Sequence, residues 1–248
     1  CAFCSIGMHQ GKGILSRSMD SVLKEVRSLA FHPLWGGIIT DIGGATADMY
    51  GAGCSEKNCP RTSCLHPVMC RKYSPGTEYL TLLREAKKVR GVKKIFLGSG
   101  IRHDLVLGNP ELLEEILVHH SGRFLRIAPE HTEDPLLDLM RKPSFAVLEA
   151  FVRLFHSITR GMKRKVELAP YLIVGHPGET LQDVLNMKKK LRALGLKTTD
   201  VQIFTPTPGT LSTAMYYAGV SPSMRPIPTE TEVPEAVKRK ALVTQTVK

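Results

Sequence analysis

Apolar residues return at helical spacing from Met19 onward. Met19, Val22, Leu23, Val26, Leu29 and Ala30 mark one face of a helix, and Ser18 is placed to cap it. The period then changes. Gly37-Ile38-Ile39-Thr40-Asp41-Ile42 is a short apolar run closed by Gly43-Gly44, which predicts a buried strand leaving through a turn. The same exchange recurs along the chain. Tyr79, Leu82, Leu83, Ala86 and Val89 predict a helix ahead of a strand over 94–98. Asn109-Pro110 supplies a cap and a first-turn proline for a helix over 111–119, ahead of a strand over 124–128. Ser144 is placed to cap a helix carrying Val147, Leu148, Phe151, Val152 and Phe155, followed by a strand over 166–174. Thr180 with Asp183 has the form of a capping box for a helix that stops at Gly195, and a last strand spans 200–204.

Helices alternating with strands in this way predict an α/β fold with a parallel sheet, either open and doubly wound or closed as a barrel. In both, function gathers beyond the C-terminal ends of the strands. The segments that fall there mix glycine or proline with polar groups: Gly43-Gly44-Ala45-Thr46-Ala47-Asp48, Ser99-Gly100-Ile101-Arg102-His103-Asp104, Pro129-Glu130-His131-Thr132, Gly175-His176-Pro177-Gly178-Glu179 and Thr205-Pro206-Thr207-Pro208. The expected organisation is a core over 1–205 with a cysteine-rich insertion at about 50–76, then a C-terminal extension over 206–248. That extension is rich in proline and small polar residues and ends in Lys238-Arg239-Lys240 and Lys248, so it is expected to be partly irregular.

Composition narrows the class. The 248 residues, 42% hydrophobic and 23% charged, are ordinary globular material with enough length for a substantial core. No window approaches the roughly 18 uninterrupted apolar residues of a membrane-spanning helix, so no membrane partner is expected. The net charge of +11 allows a polyanion such as RNA as partner. The basic runs Lys87-Lys88-Val89-Arg90, Lys163-Arg164-Lys165 and Lys188-Lys189-Lys190, however, fall on or beside helices, where charge commonly solvates a face. With aromatics at 6% and one tryptophan, Trp35, a base-stacking platform is poorly supplied.

The six cysteines cluster into two short loops, which suits metal or iron-sulfur ligation and a reducing, cytoplasmic setting better than long-range disulfides. Cys1 and Cys4 form a Cys-x-x-Cys pair just before a polar loop over 7–17. Such a pair alone also serves zinc sites and thiol exchange. The first residue is cysteine, and Cys1-Ala2-Phe3-Cys4 has the look of the middle of a motif, so the true N-terminus is expected upstream. Cys54, Cys59, Cys64 and Cys70 lie in a loop with Pro60 and Pro67. Four thiolates are enough to enclose zinc or to hold an auxiliary iron-sulfur cluster, although the spacing is not the tight pairing of ordinary structural zinc sites; free reduced thiols are the third reading.

Several blocks taken in order carry a resemblance. Cys1-Ala2-Phe3-Cys4, His9-Gln10-Gly11-Lys12, Ser16-Arg17-Ser18, Asp41-Ile42-Gly43-Gly44-Ala45-Thr46-Ala47-Asp48-Met49-Tyr50, Ser99-Gly100-Ile101-Arg102-His103-Asp104-Leu105, His119-His120, Ile127-Ala128-Pro129-Glu130-His131-Thr132 and Gly175-His176-Pro177-Gly178 together resemble the radical S-adenosylmethionine proteins of the YgiQ type. The resemblance runs to about Tyr217. It implies a partial (β/α)6 TIM-like barrel of the radical SAM type whose first strand is missing from this chain. It also implies a Cys-x-x-x-Cys-x-x-Cys loop in which Cys1 and Cys4 are the second and third ligands of a 4Fe-4S cluster, the first lying upstream. The function it implies is reductive cleavage of S-adenosyl-L-methionine to a 5'-deoxyadenosyl radical, on an unknown substrate, with an electron donor such as a flavodoxin or ferredoxin. Cofactor contacts would fall on Gly43 and Gly44 for the methionine end, on Ile173 and Gly175 near adenine, and on Glu130.

Without the family, each of these residues has a plainer reading. Gly43-Gly44 is a tight turn and Gly175 part of a strand-to-helix loop. Arg102, His103, Asp104, Glu130, His131 and His176 would share one cavity in a barrel, or else satisfy loop backbone groups. His119-His120, at a helix end, is expected to be exposed or to complement the helix dipole. Two other functional readings stand beside the enzyme: a basic, zinc-stabilised RNA-binding module, and an inactive truncated barrel.

Overall fold

The computed structural model describes residues 1–11, 13–44, 46–54, 56, 59–198 and 200–244; Lys12, Ala45 and Lys248 of the patterns above lie outside them. A single turn, α1 (Ile6–His9), precedes the first long helix, α2 (Met19–Ala30), which begins where Ser18 accepts a hydrogen bond from the Ser21 N–H. The chain then enters β1 (Ile38–Ile39), and the cysteine-rich insertion leads from it to α3 (Glu78–Lys88). β2 (Lys94–Ile95), the short α4 (His103–Val106), α5 (Pro110–Glu115) and β3 (Phe124–Glu130) follow. Next come α6 (Asp134–Met140), α7 (Phe145–Thr159), β4 (Glu167–Val174), α8 (Leu181–Ala193) and β5 (Asp200–Ile203). The Thr180–Asp183 capping box is formed in full, each side chain bonding the other's backbone N–H.

All strand pairings between these elements are parallel. β1 pairs with β2, and β3 with β4 and β4 with β5. The two ladders join where Leu97 N–H donates to His120 O (3.0 Å) and Ile101 N–H to Arg126 O (3.1 Å), giving a parallel bridge Ile101–Ile127. The strand order is therefore 1-2-3-4-5, following the chain without the reversal that marks a doubly wound sheet. Among the described residues no pairing closes β5 onto β1. The core lies between the strands and the helices, with Tyr79, Leu83, Ile127, Phe151 and Leu172 all essentially inaccessible.

Four expectations need correction. β1 is shorter than its apolar run and less buried, Ile38 being half-exposed, because it stands at a sheet edge with a single partner. Ser144 makes no side-chain cap; Asp134 Oδ1 accepts the Phe145 N–H instead (2.7 Å). The helix after Asn109 leaves α geometry for a π turn over Ile116–His120, where Arg164 donates to the carbonyls of Leu117, Ser121 and Gly122, so that Arg164 serves as a cap. His120 is accordingly buried, its Nδ1–H donating to Ile95 O (3.2 Å), and is not exposed at a helix end.

The C-terminal extension is also more ordered than its composition suggests. It carries α9 (Leu211–Ala218) and α10 (Val233–Val243), and α10 packs on α8, β5 and β4. Pro234 falls in the first turn of α10, where its missing N–H costs nothing.

Candidate active site

The N-terminal cysteine loop is seated between the end of α6 and the start of α9. Ala2 N–H donates to Met140 O at the end of α6 (2.8 Å), and Ala2 O accepts from Ser212 N–H at the start of α9 (3.1 Å). Phe3 packs on the cluster of Met140, Ile173 and Phe204, as does Tyr216. Cys1 and Cys4 are thus carried on one turn, closed by Cys4 N–H to Cys1 O (3.4 Å), above the C-terminal ends of β3, β4 and β5. Both thiols are free, Cys1 exposed and Cys4 half-buried.

Beside this turn lies a cleft of about 420 Å³ lined by Phe3, Glu130, Tyr171, Ile173, Gln202 and Phe204, within the range of small-molecule sites. Its walls come from the last residues of three strands and from the cysteine loop. Glu130 ends β3 with a left-handed backbone, φ 68°, where the β3–β4 register breaks. Its carboxylate lies 3.5 Å from the Lys142 ammonium. Burial pushes the Glu130 carboxyl up and the Lys142 ammonium down, each opposed by the charge of the other.

Arg102 lies within electrostatic reach of both Lys142 and Glu130 and grips Asp104 through Nε (3.1 Å) and Nη2 (2.6 Å). Burial alone would lift the Asp104 carboxyl, and the guanidinium beside it holds it below its usual range. Asp48 is buried too, and burial drives its carboxyl up to about 7; one oxygen accepts the Arg102 N–H (3.2 Å) and the other has no partner.

A second polar chain runs beneath the exit of β4. His176 Nδ1–H donates to Pro177 O (2.9 Å), so in the neutral ring Nε2 accepts from the Ser212 hydroxyl (2.7 Å). Burial pushes the ring down to about 4. Glu179 Oε2 accepts the Gly175 N–H (2.6 Å) and Arg239 Nη1 (3.1 Å); Arg239 Nη2 continues to Glu230 (2.8 Å). His131 Nε2 faces the other Glu179 oxygen at 3.4 Å, without the alignment of a hydrogen bond. Gly178 N–H donates to Pro228 O (2.7 Å), so the extension grips the Gly175–Gly178 turn twice.

The cysteine-rich insertion docks against the same end of the sheet. Its base is closed by Gly53 and Ser74, which exchange both backbone hydrogen bonds, and its middle by His66 Nε2 to Asp138 Oδ1 of α6 (3.0 Å). Cys70 N–H donates to Cys64 O (2.7 Å). All four thiols are free, and among the described residues no three His, Cys, Asp or Glu side chains stand at metal-ligating geometry.

No family model matches the chain. Curated relatives do. The chain is similar to proteins named UPF0313 protein. One from Methanocella arvoryzae is 42% identical over 227 residues, covering 90% of this chain and 38% of the relative. One from Vibrio vulnificus is 41% identical over 231 residues, covering 91% of this chain and 30% of the relative, and one from Geobacter sulfurreducens is 44% identical over 227 residues, covering 90% and 38%. The chain thus spans less than two-fifths of the length of these UPF0313 proteins. No described helix is long and apolar enough to cross a membrane.

Of the residues singled out in the sequence, Glu130 and Ile173 line the cleft, Phe3 carries the Cys1–Cys4 turn to its edge, and Gly175 directly follows the end of β4. Gly43 and Gly44 follow β1, on the other ladder, and are exposed. A Cβ on Gly44 would meet nothing within 4 Å, so packing within the chain does not demand a glycine there. His103 does not join the cavity; its ring lies 6.0 Å from that of Phe151, on the α4–α7 contact. His131 is likewise buried under the β4 exit, beside Glu179. Lys142, Arg239, Ser212 and Phe3 were not legible as site residues, since each acts through a partner distant in sequence.

Proposed function

We propose that this chain forms part of the core of a radical S-adenosylmethionine enzyme of the YgiQ type, with the five parallel strands belonging to a partial six-unit β/α barrel whose first strand lies upstream. One observation carries the reading: Ala2 fastens the Cys1–Cys4 turn, through Met140 and Ser212, onto a cleft at the C-terminal ends of strands that run in sequential order. In that reading Cys1 and Cys4 hold two irons of a 4Fe-4S cluster and a third thiolate comes from upstream. The donor set fits: two free thiols on one turn, one of them exposed, beside a cleft of ligand size. When bound, such a cluster supplies the electron that splits the S-adenosylmethionine sulfonium into methionine and a 5'-deoxyadenosyl radical.

The chain's own residues bind and shield. Phe3, Ile173 and Phe204 give the cleft one apolar wall for the apolar part of a ligand. Glu130, held against Lys142, presents a carboxylate to the polar end of a ligand. Glu179 occupies the Gly175 N–H and so fixes the turn at the end of β4 without spending it on the ligand. Cys1, on the exposed side of its turn, leaves a path for an electron donor such as a flavodoxin or ferredoxin.

The test is iron and sulfide content after anaerobic reconstitution, on this chain and on one carrying the sequence that precedes Cys1 in its gene. About four irons gained only by the longer chain, with 5'-deoxyadenosine released on reduction in the presence of S-adenosylmethionine, is the expected result. No iron and no S-adenosylmethionine binding in the longer chain would overturn the proposal, and zinc alone in both, with salt-sensitive RNA binding, would favour the RNA-binding module.

A further inference from the structure

We propose that Cys54, Cys59, Cys64 and Cys70 form a second, four-thiolate site for a thiophilic metal, independent of Cys1 and Cys4, which orders the insertion over the strand ends. Four of the six cysteines of the chain fall between positions 54 and 70. None is in a disulfide. The thiols of Cys54, Cys59 and Cys70 all lie within electrostatic reach of Cys64. Cys64 and Cys70 are half-buried on the docked side of the loop, and Cys54 and Cys59 are exposed.

The loop needs such a tie. Between the Gly53–Ser74 closure, the described residues form no helix and no strand, and the buried apolar side chains at this end, Ala52 and Tyr73, sit at its base. Its own apolar residues Val68 and Met69 face solvent. What holds it is a handful of polar contacts, chiefly Arg61 Nη2 to Val68 O (2.8 Å), Cys70 N–H to Cys64 O and His66 to Asp138. A long irregular loop without apolar burial is the setting in which metal binding supplies the free energy that a core does not.

Tyr73 adds an independent observation. Its ring is buried, its hydroxyl has no hydrogen-bond partner, and Cys64 is among the groups whose charge it feels. Arg102 and Asp48 act on that hydroxyl more strongly than Cys64 does, and an O–H left unpaired there is free to serve as an outer donor once metal draws the Cys64 thiolate in. The thiols are not at ligation geometry as they stand; binding would draw the two exposed cysteines onto the two half-buried ones, with release of their protons. Soft thiolates suit both zinc and an iron-sulfur cluster.

Metal analysis on the full reduced protein, purified without oxygen and supplied in turn with Zn2+ alone and with Fe2+ and sulfide, decides the question. The expected result is about one zinc per chain, or iron with matching sulfide, retained in Cys1→Ser/Cys4→Ser and lost in Cys64→Ser/Cys70→Ser. Co2+ in place of zinc should give the intense visible bands of a tetrahedral thiolate site. Should the double variant fail to fold, Cys54→Ser, at an exposed position, should leave the circular dichroism unchanged and weaken metal affinity by at least about tenfold. No stoichiometric metal in the reduced Cys1→Ser/Cys4→Ser protein, or metal in that background that survives the further change Cys64→Ser/Cys70→Ser, would overturn the proposal. Loss of iron at Cys1 and Cys4 alone would bear on the radical reading and leave this one standing.

Discussion

Arg239 and Glu179, 60 positions apart in sequence, meet at 3.1 Å in a place where the glutamate side chain has no solvent access. The carboxylate is shared between that guanidinium and the Gly175 N–H, so the helix that ends the described chain sets the backbone at the exit of β4. The C-terminal extension is therefore part of the cleft's foundation.

Arg239→Ala should leave the buried Glu179 side chain without its guanidinium partner. The expected loss is roughly 3–5 kcal/mol, read as a drop in the denaturant midpoint at neutral pH. Adding Glu179→Gln should recover a good part of it, because the amide oxygen still accepts the Gly175 N–H and no charge is stranded. A double variant no more stable than the single one would show that the pair matters for its shape alone.

Acid should weaken the fold through two histidines. Burial pushes His103 and His176 down to about 4, against 6.5 for the free side chain. Between those values the unfolded chain takes up protons that the folded one refuses, so stability falls as pH drops from 6.5 to 4 and is flat in this respect below it. At about 1.4 kcal/mol per unit, each ring contributes of the order of 3 kcal/mol across that window. His103→Leu, whose Nδ1 leaves no partner behind, should flatten the acid limb of a melting-temperature profile; an unchanged slope would place the titration elsewhere.

Asp48 works in the opposite sense. Its folded carboxyl titrates at about 7, against 3.8 unfolded, so stability falls as pH rises from 3.8 to 7 and stays lower above. Asp48→Asn keeps the acceptor for the Arg102 N–H and should raise the melting temperature at pH 8 while leaving it nearly unchanged at pH 4. Equal shifts at both values would exclude ionisation as the cause.

Gly76 stands where α3 meets the base of the insertion. A Cβ there would fall 1.7 Å from Tyr50 O, a backbone atom that has no room to yield. Gly76→Ala should therefore open the base of the loop, seen as faster proteolytic nicking within 54–72, and cost more than the roughly 1 kcal/mol of an ordinary glycine change. Gly44→Ala, with open space at its Cβ, is the matched control and should leave nicking unaltered.

Much of this was legible in the sequence because local chemistry decided it. Ser18, Asn109 and Thr180 cap the helices they were expected to cap, since a side-chain oxygen one residue before an apolar stripe acts within a single turn. The cleft falls at the strand ends the sequence pointed to, because parallel α/β folds gather their variable loops there. What was hidden depends on partners far away in the chain: Arg164 capping the π turn, Lys142 under Glu130, Arg239 on Glu179. The tail is irregular over 219–232 as its composition suggests, but α10 was hidden because prolines speak against a helix, whereas Pro234 occupies the one part of a helix that tolerates it.

Glu130 ends β3 in a left-handed backbone that favours glycine, asparagine and aspartate and disfavours longer side chains. A library randomised at this position and selected for folding alone should enrich those three and exclude valine and isoleucine. Glutamate stands there against the preference of its own backbone, and that left-handed turn is what brings its carboxylate onto the buried Lys142 ammonium at the edge of the cleft.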